Sequence, residues 1–416
     1  MESDLTHQNV AASQALGPKF GTELAAKLTV PEFRTPPSLE RLFRAMAVVG
    51  GISLLAGALL APQRTWANLL LASYYLLALG LSGTVFVALQ FVAGSSWSVA
   101  FRRVPEALSN LLPYVAPLFL AVLIISPFLY PWFHEFHEET EPTLWFRQLW
   151  LSPAFFIVRS LIYLSLWIVF SYAIVRTSRR QDADGDFSHT RKNIRLSAGF
   201  LVVFGITFWL ATFDWIMSLE PHWYSTIFGL YHFAGLILGG LAMITILAIW
   251  LERLGPLRGI LTQEHLHDLG KLLFAFSTFW MYIWFCQYML IWYANIPEET
   301  SYFINRVRGF WGPVFLLNVL LNWAVPFVVL LSVTAKRNPS VLLEVCWTIL
   351  AGRWVDLYLM IYPPLVGENP VFGVWEAGFL LGTGGVFFLA LFRALRSAPL
   401  VPLKDPYLAE SLHYHN

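Results

Sequence analysis

A succession of long apolar runs constrains this chain more than any other feature. There are ten, at about 43–62, 66–90, 110–131, 153–176, 196–218, 225–251, 270–296, 309–335, 340–362 and 371–396. A bilayer's hydrocarbon core is roughly 30 Å thick and needs about 20 mostly apolar residues per crossing helix. Backbone polar groups find no water there, so only helices and closed barrels can cross. These runs are too long and continuous for the roughly ten-residue alternating strands of a barrel. Charged residues make up 13% of the chain, against about 25% in soluble domains, too few to cover a soluble surface of this size. The expected fold is an all-α membrane protein of ten transmembrane helices over 43–396. An extramembrane arm (1–42) precedes it and a tail (397–416) follows. The arm lacks the basic and apolar blocks of a cleaved signal peptide.

The basic residues orient the runs. The arm, the second, fourth, sixth and eighth connections and the tail hold 21 of the 27 Lys and Arg. The opposite connections hold Arg64, Arg147, Arg306 and Arg308, and Arg159 and Arg353 fall inside runs. Basic residues accumulate on the cytoplasmic side, so both termini are expected there. The connection around 177–195 reads as a polar cytoplasmic loop. The formal net charge of +1 supplies no global field for nucleic acid. No P-loop, dinucleotide or EF-hand spacing is present, which argues against an ATP-driven pump or a nicotinamide enzyme.

Ionisable groups inside runs are costly and face the bundle interior. Arg159, Asp214, His232, Glu344, Arg353, Asp356 and Glu376 are such groups, with Lys271 at an inner mouth. All but Glu344 of these seven fall in the outer half. Arg353 and Asp356 are three apart, so one helix face presents both and they can pair. That pair reads either as a packing element or as part of a proton relay. Asn318, Asn322 and Gln287 read as helix-joining hydrogen-bond groups, and Gly239-Gly240 and Gly384-Gly385 as close-packing points. Near the outer face, His134, His137, Asp214, Glu220 and His222 could serve a quinol pocket, which needs a titratable acceptor beside the hydroxyl. The alternative for Asp214 and Glu220 is helix-end capping, and for His222 a place in an aromatic belt with Trp223 and Tyr224. Only His232 is clearly intramembrane, too few for a haem held by two histidines. Cys286 and Cys346 are too isolated for a cluster or a zinc site, and no c-type haem motif exists. No catalytic and no metal-binding set is recognisable, and no redox cofactor is expected in this chain.

Two stretches carry a resemblance. One is FDWIMSLEPHWYST at 213–226, closing the fifth run; the other is QYMLIWYANIPEE at 287–299, closing the seventh. With ten runs and cytoplasmic termini, the chain resembles the NrfD/PsrC-like membrane subunits, and among them the ActF-type subunits of alternative complex III, a bacterial quinol:electron-acceptor oxidoreductase. The resemblance implies two pseudo-symmetric four-helix bundles, runs two to five and six to nine, flanked by the outer helices. It implies a respiratory complex in the bacterial inner membrane with c-type cytochromes, an iron–sulfur protein, a related ActC-type membrane subunit, bound lipids and a terminal oxidase. Quinol would be oxidised near the outer side, in the pocket of the ActC-type companion, with haems and clusters in partners. This chain would anchor the complex and move protons. A secondary transporter and a purely structural anchor are the competing readings.

Overall fold

The computed structural model describes residues 31–135, 145–367 and 369–414. Helices are the regular structure of the described residues, with no strand among them. In chain order the main helices are α1 (Pro37–Leu60), α2 (Pro62–Val92), α3 (Arg103–Ile125), α4 (Pro153–Asp184), α5 (Ser188–Trp215), α6 (Phe228–Leu254), α7 (Gln263–Ala294), α8 (Pro297–Val307), α9 (Trp311–Leu330), α10 (Pro339–Val366), α11 (Val374–Leu395) and α12 (Leu408–Leu412). Among the described residues, nine are long and apolar enough to cross a membrane: α1 to α7, α9 and α11. The ninth expected run, 340–362, forms α10. At 28 residues it is longer than α9 and α11, but Glu344, Arg353 and Asp356 leave it less apolar. The chain is a multi-pass membrane protein.

α6 and α2 form the centre. α6 is apolar on every face and buried almost throughout, as expected of a helix surrounded by others. α1 lies at the edge, with Leu55, Leu59 and Leu60 turned outward. It is held by α11 through a glycine contact: a Cβ on Gly50 would lie 2.2 Å from the Gly382 Cα, and one on Gly385 would lie 2.6 Å from Phe43 O. Small residues let helix backbones approach this closely in lipid, where dispersion drives association. Of the glycine pairs expected to pack closely, Gly240 and Gly385 meet a neighbour; Gly239 and Gly384 have ordinary clearance.

Cross-links define two ends. Arg64–Glu376, Trp150–Asp214 and Arg306–Glu220 tie one end, poor in arginine. Arg102–Asp405, Arg103–Asp182 and Arg337–Glu264 tie the other, rich in arginine.

Several boundaries differ from the sequence reading. The third helix runs over Arg103–Ile125 rather than 110–131. It stops at Ser126 because Pro127 disfavours helical backbone in the residue before it, and a short turn, Pro127–Leu129, follows. The polar loop expected at 177–195 is mostly helix. α4 continues to Asp184, Gly185 ends it at φ 73°, and α5 starts at Ser188. Arg and Gln are good helix formers, and glycine takes the left-handed cap without strain. Residues 37–42 belong to α1, with Pro37 at its first turn. The tail folds back onto the arginine-rich end: Ser411 Oγ donates to Trp97 O at 2.7 Å, and Ala100 N donates to Ser411 Oγ at 3.0 Å.

Candidate functional site

Five helices deliver polar side chains to one place in the core. α10 brings Arg353 and Asp356 on one face, as their i, i+3 spacing requires. Arg353 Nη1 lies 2.6 Å from Asp356 Oδ2. Asp356 Oδ1 accepts from the Tyr231 hydroxyl on α6 and from Asn318 Nδ2 on α9 at 2.8 Å. Asn322 Nδ2 donates to Asn318 Oδ1 at 2.7 Å. Arg353, Asp356, Tyr231, Asn318 and Asn322 are all buried. Asp356 is the eighteenth residue of α10, about 26 Å along a helix about 42 Å long, so the cluster lies well inside the helix.

The backbone of α9 is irregular beside this cluster, with a π turn over Leu320–Ala324. Pro326 has no N–H to give the Asn322 carbonyl four residues back. Ser277 Oγ on α7 donates to that carbonyl at 2.8 Å instead.

His232 sits one residue from Tyr231. Its Nδ1 is 2.9 Å from the Tyr74 hydroxyl on α2, and its Nε2 is buried with no hydrogen-bond partner. His232, Tyr74, Tyr75, Gly235 and Arg353 line a cavity of about 20 Å³, room for one water molecule. Gly235 makes the seat for the arginine: a Cβ there would lie 2.1 Å from Arg353 Nη2.

Three further pairs sit toward the arginine-poor end. Arg159 grips Asp214 with two hydrogen bonds, of 3.0 and 2.8 Å, and Trp150 Nε1 and the Tyr163 hydroxyl also donate to that carboxylate. Glu376 accepts from Arg64 at 3.0 and 2.5 Å and from Gly373 N at 2.8 Å, capping α11. Both carboxylates are saturated with donors, the arrangement that makes a buried charge tolerable. Arg306, expected in an outer loop, is buried on α8 and pairs with Glu220. It also donates to Leu359 O at 2.7 Å and Met360 O at 3.3 Å. Those carbonyls lose their helical donors to Pro363 and Pro364, so the arginine replaces what the prolines remove.

The structure therefore joins Arg353 and Asp356 with His232 nearby, and separates Arg159–Asp214 and Glu376 into their own pairs. Lys271 pairs with Asp268 at the start of α7, and Glu344 is exposed on α10. The quinol-pocket candidates divide between two clefts. Asp214 borders one of about 270 Å³ lined by Phe146, Trp150, Met217 and Tyr224. Glu220 and His222 border another of about 250 Å³ with Pro131 and Ser301. His137 and the side chain of His134 lie outside the described residues.

Sequence reasoning also missed Glu106. It is buried, accepts from Ser178 Oγ at 2.6 Å, and shares Arg103 with Asp182. The signal was Arg103 three residues before Glu106, ahead of an apolar run. Arg102, counted as a loop charge, is likewise buried against Asp405 of the tail.

The fold and its buried charges define an all-helical, multi-pass membrane protein with an ionisable cluster in its core. Comparison of the sequence with protein-family models and with curated proteins finds no match.

Proposed function

We propose that this chain is the membrane subunit of a bacterial quinol:electron-acceptor oxidoreductase of the alternative complex III type. In this reading it lies in the inner membrane with both termini cytoplasmic, and α10 crosses as a tenth span. It anchors c-type cytochromes, an iron–sulfur protein and an ActC-type companion, and it conducts protons without a redox cofactor of its own. The observation that carries the reading is the core cluster: a carboxylate, Asp356, held by Arg353, Tyr231 and Asn318. Ionisable residues at such depth mark proton relays in membrane proteins. Water in the neighbouring cavity would join His232 Nε2 to the Arg353 guanidinium and extend the relay toward α2. That cavity is too small for a quinone ring, which agrees with quinol oxidation in the companion subunit. The saturated pairs Arg159–Asp214 and Arg64–Glu376 fit the anchoring role.

A secondary transporter is the second reading, favoured by the π turn of α9 beside Asn318. Irregular backbone next to buried polar groups is a feature of transporter binding sites. Gentle solubilisation, affinity capture of this chain, mass spectrometry and a haem spectrum separate the two. Co-purifying c-type cytochromes and an iron–sulfur protein are expected. A haem-free chain purifying alone would overturn the oxidoreductase reading.

A further inference from the structure

The cytoplasm-proximal hairpin of α4 and α5 carries a feature the proton-relay reading does not use. Arg176, Arg180, Arg191, Lys192 and Arg195 are all exposed there. Among the described residues, none of the five has an acidic partner. The acids of the same segment are engaged elsewhere. Asp182 pairs with Arg103, Asp184 lies 2.9 Å from His189 Nε2, and Asp186 accepts from Ser188 N at 2.9 Å.

The register of the hairpin brings the cations together. Gln181 Nε2 donates to Thr190 Oγ1 at 2.7 Å, which sets Arg180 level with Arg191. One turn further into the bundle, about 6 Å along the axis, Arg176 is level with Arg195. Below them the outward faces turn apolar, with Val169 and Tyr172 on α4 and Val202 and Ile206 on α5 exposed. The Arg176 guanidinium stands 5.7 Å over the Tyr172 ring. A rim of guanidinium groups without acidic partners, directly above a lipid-facing apolar strip, matches an amphiphile with anionic head and hydrocarbon tails. An acidic protein would match the rim alone, with the strip left to lipid.

We propose that the end of the α4–α5 hairpin binds the phosphate headgroup of an anionic phospholipid, whose acyl chains run along the apolar strip. The attraction is electrostatic and weakens within a Debye length and with salt. Each basic residue near an anionic surface contributes roughly fivefold in affinity.

The test uses the full chain in phosphatidylcholine nanodiscs titrated with phosphatidylglycerol, with bound lipid counted by native mass spectrometry. The combined variant Arg180→Gln, Arg191→Gln, Arg195→Gln is expected to bind phosphatidylglycerol at least about tenfold more weakly than wild type. The corresponding triple Lys variant should retain binding, and Arg308→Gln at the opposite end should bind as wild type does. The residues are exposed and unpaired, so elution and melting should stay at wild-type values in every variant. Equal phosphatidylglycerol affinity in the Gln variant and wild type would overturn the proposal. So would loss of a co-purifying acidic protein while that affinity stays unchanged.

Discussion

Gly235 gives the sharpest test of how the core cluster is built. An alanine Cβ at that position would fall 2.1 Å from Arg353 Nη2 and 2.3 Å from its Cζ. The guanidinium must move by about 1 Å to restore van der Waals contact. It is not free to do so, because it is buried and paired with Asp356 at 2.6 Å. Stretching the pair to about 3.6 Å loses about 2 kcal/mol of attraction at an effective dielectric of about 20. Gly239, one turn along the same helix, is the control: its Cβ would meet Arg353 Cγ at 3.5 Å and Leu79 Cδ2 at 4.0 Å, both ordinary contacts. Both changes gain the same helix propensity, about 0.5–1 kcal/mol, so it cancels in the comparison. Gly235→Ala is therefore expected to be about 2 kcal/mol less stable than Gly239→Ala by equilibrium unfolding in mixed micelles. In an Asp356→Asn background the difference should shrink, because the charge pair is already gone. Equal stability of the two alanine variants would mean that the guanidinium does not occupy the seat beside Gly235.

Arg306→Ala should destabilise by about 3 kcal/mol or more, since it leaves the carbonyls of Leu359 and Met360 and the Glu220 carboxylate without their donor; thermal melting in detergent measures this, and a wild-type melt would refute it. Gly382→Leu should detach α1 from α11, because the two backbones already touch at Gly50; cross-linking of cysteines placed at Phe43 and Phe388, whose rings stack at 4.9 Å across the two helices, would report the separation, and unchanged cross-linking would count against it. At the α4–α5 turn, hydrogen bonds from the Ser188 hydroxyl and N–H hold the Asp186 carboxyl below the ordinary aspartate range. A depressed pKa stabilises above the unfolded value and loses that contribution as pH falls through the folded one. Hydrogen exchange at 185–188 should therefore quicken only in strong acid, and Ser188→Ala, which removes the hydroxyl and keeps the N–H, should weaken that acid dependence.

The membrane-crossing architecture was legible because a bilayer imposes a length and a polarity on every crossing segment. The pairing of Arg353 with Asp356 was legible from spacing alone. The partners were not. Tyr231 and Asn318 reach Asp356 from helices far away in sequence, and no periodicity reports which helices meet. Arg306 looked like a loop charge because it follows Glu298 and Glu299. Its burial is explained by Pro363 and Pro364, whose missing N–H groups free the two carbonyls it binds. Glu106 and Arg103 were hidden by the placement of the third helix, whose polar first turns are buried by α4 and the tail. Hydropathy locates the apolar core of a helix and is blind to polar turns that other protein covers.

Proton movement through the Asp356 cluster is the central claim. The intact complex, reconstituted in vesicles, should release or take up protons during quinol oxidation with a measurable proton-to-electron ratio. Asp356→Asn, assembled normally, should keep its quinol oxidation and lose part of that ratio. An unchanged ratio in the assembled Asp356→Asn complex would contradict the account and leave the cluster as packing alone.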